Sequence, residues 1–117
     1  MKGKKFDKEN MKMKKDIYNA ILKIMLLSSI KCKENYSYQL FKNIKNSQIK
    51  IEKPDMKNDV YNTLASLFSS GYIKTFSKVE NGKLKNYYKI TDKGIAALDE
   101  IKPIFKDVFK RVSKLLD

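Results

Sequence analysis

Histidine and tryptophan are absent from the 117 residues, and Cys32 is the only cysteine. Without histidine there is no imidazole general base, no Ser-His-Asp triad and no Cys-His pair. One cysteine can form neither an intrachain disulfide nor a Cys/His zinc cluster. The four glycines stand apart at positions 3, 71, 82 and 94, so no glycine-rich loop can cradle a phosphate. Apolar runs reach four residues, as in Ile24-Met25-Leu26-Leu27, far short of the roughly 20 that a membrane-spanning helix needs. Lys23 interrupts the apolar stretch behind the lysine-rich start, and no small-residue cleavage site follows it. The chain therefore reads as cytoplasmic, without membrane contact, and as a non-enzyme with no cofactor or metal. Paired carboxylates stay formally available for acid–base work, but no motif asks for them.

Positive charge is what the chain has in excess. Lys and Arg number 26 against 13 Asp and Glu, a formal net charge of +13. The many Asn, Ile and Tyr residues point to an AT-rich coding sequence, which favours lysine by itself. Whatever its origin, such a charge creates a field that attracts phosphates. A hydrophobic content of 42% over this length suits a single domain with a real core.

Residues 1–15 hold seven lysines against Asp7 and Glu9, with Phe6, Met11 and Met13 as sizeable apolar side chains. They read as a basic, partly disordered segment able to join the following helix from about Glu9. From Ile17, the positions Ile17, Ala20, Ile21, Ile24, Met25, Leu27 and Ser28 form a helical stripe to about Ser29, widened by Leu22 and Leu26. A polar connection, 31–35, leads to a second helix over about 36–45, with Leu40, Phe41 and Ile44 inward and Asn35 or Ser37 as cap. Ile49-Lys50-Ile51 alternates and can form a very short strand. Asp55 is the expected cap of a third helix over 56–70, whose inward face is Val60, Leu64, Leu67 and Phe68.

Gly71 should stop that helix as a residue of positive φ. Strands over 72–79 and 84–90 follow, joined by Asn81-Gly82, the signature of a type I′ hairpin turn. Of Tyr87 and Tyr88, alternation puts one in the core and one on the surface. Thr91 caps the last helix, with Asp92 in its first turn suiting the dipole. There Leu98, Ile101, Phe105, Val108, Val112 and Leu115 recur at 3, 4, 3, 4, 3, a heptad seam that passes Pro103 and is broadened by Ile104, Phe109 and Leu116. So wide an apolar face predicts a dimerisation element, and Ile21 of the first helix joins the expected interface.

A helix running into a two-stranded hairpin is the centre of a winged helix-turn-helix. The expected fold is mainly α with a small β-hairpin wing and a long C-terminal dimerisation helix. Its parts are the basic segment 1–15, the DNA-binding unit 16–91 and the helix 92–117, all in one domain. At the start of the third helix, Lys57, Asn58, Tyr61 and Asn62, with Ser66 a turn later, are candidates to meet base edges, since Asn can read adenine and Lys can reach guanine or phosphate. Ser37 and Tyr38 open the second helix beside them. Lys78, Asn81, Lys83 and Lys85 surround the hairpin tip, suited to phosphate or the minor groove. An ordinary solvated helix face and lysines guarding exposed strand edges are the plainer readings of these two groups. Phe105, Phe109 and Tyr18 can line a ligand cavity at a dimer interface, although aromatics at helical spacing more often simply pack.

Several stretches resemble the PadR family of transcriptional regulators, small subtype. They are Ser37-Tyr38-Gln39-Leu40, then Tyr61 with Leu64, Leu67 and Gly71-Tyr72-Ile73, and the wing's end Asn86-Tyr87-Tyr88-Lys89-Ile90-Thr91-Asp92-Lys93-Gly94. The resemblance covers about 17–117; other winged-helix regulators, such as the MarR and ArsR families, share the order of elements. It implies a homodimer built on the first and last helices, a third helix in the major groove of double-stranded DNA, and a repressor that often answers to a small hydrophobic effector or phenolic acid. A winged-helix interaction module, or a plasmid or phage maintenance protein that binds DNA without an effector, is the alternative reading of the same residues.

Overall fold

A computed structural model describes the backbone of residues 2–47 and 56–117 and the side chains of 8–47 and 56–117. In chain order the elements are α1 (Lys2–Cys32), β1 (Asn35–Tyr36), α2 (Ser37–Asn46), α3 (Met56–Ser69), β2 (Ile73–Glu80), β3 (Lys83–Ile90) and α4 (Asp92–Leu116). The three strands form one antiparallel sheet in the order β1-β3-β2. The fold is mainly helical with a small wing, as the residue pattern requires. The expected strand at 49–51 and the Asp55 cap lie outside the described residues.

One core joins every helix. Tyr18, Leu22, Leu26, Leu27 and Ile30 of α1 pack with Leu40 and Ile44 of α2, Val60, Leu64 and Leu67 of α3, Ile73 of β2 and Leu98 of α4. Each fully buried aliphatic side chain of this kind stabilises the fold by roughly 1.5–3 kcal/mol through removal from water. The buried line of α1 is rotated from the expected stripe. Leu22 and Leu26 are its centre, whereas Ile17 is 56% exposed and Ile21, Ile24 and Met25 are not among the fully exposed or most deeply buried positions of the helix. Many apolar residues crowd that helix, so sequence spacing alone could not choose the inward line. In α3 the fourth inward position is Thr63 rather than Phe68, which is exposed. The Thr63 hydroxyl makes this tolerable by donating to the Asp59 carbonyl at 2.7 Å.

Local chemistry sets the boundaries. Gly71 has φ +80°, and the amides of Gly71 and Tyr72 donate to the carbonyls of Phe68 and Leu67, both at 3.0 Å, a Schellman ending for α3. Asn81 (φ 52°) and Gly82 (φ 76°) form the tight hairpin turn with two left-handed residues. Thr91 Oγ1 accepts the Gly94 amide at 3.1 Å, capping α4. The same hydroxyl donates to the Gly71 carbonyl at 2.6 Å, and Lys93 Nζ donates to the Ser70 carbonyl at 2.7 Å. The start of α4 thus satisfies the end of α3, and the two helices are fixed to one another through their caps.

The helix α1 runs from Lys2 through the basic segment, and at the start of α2 one expectation is corrected. Lys, Met and Glu are good helix formers, and Lys12 pairs with Asp16 at 3.0 Å one turn on. Tyr36, not Asn35 or Ser37, occupies the N-cap of α2, and no side chain caps it. Asn35 is drawn instead into β1, opposite Tyr88. The radius of gyration is 16.5 Å, against about 13 Å for a compact chain of this length, because long helices project from the core.

Candidate nucleic-acid interface

The first two turns of α3 present a polar face. Val60 turns inward, fully buried, while Lys57, Asn58 and Asn62 stand exposed, with Ser66 exposed one turn further. Tyr61 is half-buried and packs against the core. Tyr38 of α2 reaches the same place, 50% exposed, with its ring centroid 5.9 Å from Lys57 Nζ. Lys57 also lies 5.8 Å from the Tyr61 ring, and Lys42 lies 5.5 Å from the Tyr38 ring. Two cations thus rest on aromatic faces, which restrains long side chains that would otherwise be spread over many rotamers. Ser37 is different. Its hydroxyl bonds to the Tyr88 hydroxyl at 3.4 Å, tying α2 to β3 in a half-buried position.

The hairpin supplies a second basic surface. Its register pairs Lys74 with Lys89, Lys78 with Lys85 and Glu80 with Lys83. Alternation puts all six on one face of the sheet, together with Phe76, Tyr87 and Tyr36. Tyr87 is buried there, 5.6 Å edge-on to Tyr36 and 5.7 Å stacked on Phe76. Lys78 lies 5.4 Å from the Tyr87 ring, and Lys85 lies 4.4 Å from the Tyr36 ring. Like charges directly across a sheet are destabilising, so the Lys78–Lys85 pair is a cost that an anionic partner would relieve. Lys83 and Asn81 are exposed at the tip. A cavity of about 730 Å³ opens between this face and α2, lined by Gln39, Asn43, Lys33, Lys78, Glu80 and Tyr87 among others.

Tyr87 and Tyr88 therefore do not divide into core and surface. Tyr88 packs half-buried on the core, while Tyr87 is buried under neighbouring rings on the outer face. Sequence reasoning also missed Glu80, whose carboxylate accepts from the Tyr87 hydroxyl. That bond, aided by Lys85, Lys78 and Lys33, holds the Glu80 carboxyl below its ordinary range. Its counterpart is a Tyr87 phenol pushed up to about 12, by the same bond first, then by burial and the carboxylate's charge. The register implied by Asn81-Gly82 was the signal that could have found the pair.

The expected dimer seam splits. Leu98 is buried in the chain's own core, close to α1. It is the seam residue nearest the start of α4, where that helix is held against the domain. Beyond it Ile101, Phe105, Val108, Phe109, Val112 and Leu115 are 38–84% exposed along a helix that continues through Pro103. Phe105 and Phe109 stack at 6.0 Å. Tyr18 is buried in the core. Burial, then the Asp59 carboxylate, raises its phenol above the ordinary value. Among the described residues, no helix is long and apolar enough to cross a membrane, and no three Cys, Asp or Glu residues gather as metal ligands.

The model of the transcriptional regulator PadR-like family matches residues 26–100. No curated protein sequence matches the chain. Among solved structures, a PadR-like transcriptional regulator from Bacillus cereus strain ATCC 14579 is 25% identical, with a TM-score of 0.76 over 87% of this chain and 97% of that one. A PadR family regulator from Eggerthella lenta DSM 2243 is 26% identical, with a TM-score of 0.71 over 96% of both chains. One from Clostridium difficile R20291, at 21% identity and a TM-score of 0.72, covers 82% of this chain and 98% of that one, and shares the fold. With a family match over most of the winged unit and this architecture, the chain belongs to the PadR-like family of transcriptional regulators, which are not enzymes.

Proposed function

We propose that the protein is a cytoplasmic repressor that binds a pseudo-palindromic operator as a homodimer. The observation that carries this reading is the exposed polar start of α3, with Lys57 held between Tyr38 and Tyr61, on the same chain as a wing bearing five lysines. Lys57, Asn58, Tyr61 and Asn62 read base edges in the major groove, with Ser66 flanking them. Lys78, Lys83 and Lys85, with Asn81 at the tip, hold phosphates and carry no sequence information. Ser37 orients α2 through Tyr88, and Tyr38 contributes from its exposed edge.

The exposed face of α4 from Ile101 to Leu115, together with Ile21, meets a second copy, because so large an apolar surface is unfavourable in water. A small hydrophobic effector, where one acts, would meet Phe105 and Phe109 at that contact. The test is selection of bound duplexes from a random pool. A two-fold site with half-site centres about 34–36 Å apart is the expected outcome. Recovery of duplexes without any shared sequence would leave a non-specific DNA-binding module instead.

A further inference from the structure

The outer half of the wing has little to hold it. β1 pairs only with Tyr87 and Tyr88, so beyond that row β2 and β3 form a two-stranded ribbon. The side chains of 77–84 are all exposed. A ribbon of two strands without a third strand or a packed face is marginally stable in water. Yet Lys78, Lys83 and Lys85 sit on it. If they are to meet phosphates at fixed spacing, something must keep the ribbon from fraying and swinging.

Lys85 and Lys78 rest on the Tyr36 and Tyr87 rings, and one hydrogen bond reaches further, to the turn itself. Tyr87 stands in the last three-stranded row, its ring clamped between Tyr36 and Phe76. Its hydroxyl reaches past the Lys78–Lys85 row and donates to Glu80, the residue that enters the turn. Glu80 is the only carboxylate among the residues of β2 and β3, which carry five lysines. A carboxylate here lowers the attraction for an anionic partner but offsets the neighbouring lysines, and it gives the buried Tyr87 phenol its acceptor.

We propose that Tyr87 and Glu80 form a brace which holds the outer wing in the shape that presents Lys78, Lys83 and Lys85 to DNA phosphates. Tyr87 is then a positioning residue for DNA binding. The inference rests on the DNA-binding reading above. Tyr87→Phe keeps the ring, the packing and the charge, and removes only the hydroxyl. Losing one hydrogen bond should speed amide hydrogen exchange over residues 78–85 on the order of 3–10-fold and weaken DNA binding by a similar factor. Glu80→Gln keeps an oxygen that accepts from Tyr87 and removes the negative charge. It should exchange nearly as wild type and bind DNA as tightly or more tightly.

Circular dichroism on each variant checks that the helices are intact. Unchanged wing exchange in Tyr87→Phe would overturn the brace, as would a Glu80→Gln variant that binds as weakly as Tyr87→Phe. Faster exchange with unchanged affinity would show that the wing's order does not serve DNA binding. In either case a wild-type protein that binds its selected duplex leaves the broader reading standing. A wild-type protein that binds no DNA sinks both together.

Discussion

Single atoms decide more here than residue classes do. Gly94 lies in the first turn of α4, and a Cβ there would collide with the Tyr72 carbonyl oxygen and come within 2.7 Å of Ile90 Cγ1. The obstacle is backbone, and that carbonyl already accepts the Thr91 amide at 3.1 Å, so it cannot easily retreat. Gly94→Ala should destabilise the fold by about 1–3 kcal/mol, measured by denaturant unfolding, despite alanine's better helix propensity. Equal or greater stability would mean that α4 docks less tightly than described. Tyr87 and Glu80 make a second residue-scale prediction, with opposite signs at the two ends of the pH scale. Glu80 is lowered in the folded state, so its contribution is present above the ordinary carboxyl range and fades as pH falls through the lowered value. Tyr87 is raised to about 12, so its contribution is intact below about 10 and is lost as pH rises through that higher value. An absorbance titration should show a late-ionising phenol that Tyr87→Phe removes; a titration unchanged by the substitution would contradict the assignment. Gly94 was not legible as a contact in the sequence, because it depends on where the Tyr72 backbone comes to rest. The Tyr87–Glu80 pair, by contrast, follows once the register implied by Asn81-Gly82 is drawn.

Elements are easier to read where their limits are set locally. The run from α3 through the wing to Thr91 is legible in the sequence, since Gly71, Asn81-Gly82 and Thr91 each act on their immediate neighbours. β1 is not, because a two-residue strand has no periodicity and exists only through its pairing with β3. The inward line of α1 departs from its spacing for a related reason. Leu22 and Leu26 face the core while Ile17 does not, and only the positions of α2, α3 and α4 select between these lines. Within the candidate site, helical spacing correctly leaves Lys57, Asn58 and Asn62 outside. The cradle that Tyr38 and Tyr61 make for Lys57 needs α2 and α3 side by side, which spacing cannot supply. The caps that join α3 to α4 give a direct test at this scale. Thr91→Ala removes the acceptor for the Gly94 amide and the donor to the Gly71 carbonyl, and should cost roughly 0.5–2 kcal/mol by thermal or denaturant unfolding. A negligible change would show that the junction is held by Lys93 and packing alone. For the free part of α4, Phe105→Glu or Val108→Glu should convert a dimer to a folded monomer in sedimentation, since burying a charge at that face is unfavourable. A wild-type protein already monomeric at micromolar concentration would contradict the assembly.

At the scale of the molecule, the net charge gives the proposed dimer a test of its own. A dimer that neutralises on the order of 6–10 phosphates should lose roughly 10³–10⁵-fold in affinity between about 50 and 200 mM salt. Insensitivity to salt would reduce the +13 charge to a by-product of codon composition. The division of labour between α3 and the wing is the centre of the account, and one titration addresses it directly. Asn58→Ala, Asn62→Ala, Lys83→Ala and Lys85→Ala are each titrated on the selected duplex and on a scrambled one. The asparagine changes should weaken the selected site by roughly 1–3 kcal/mol and leave scrambled DNA almost unaffected, so the specificity ratio falls. The lysine changes should weaken both duplexes about equally, leaving that ratio in place. If the asparagine changes leave the specificity ratio where the wild type has it, α3 does not read the bases.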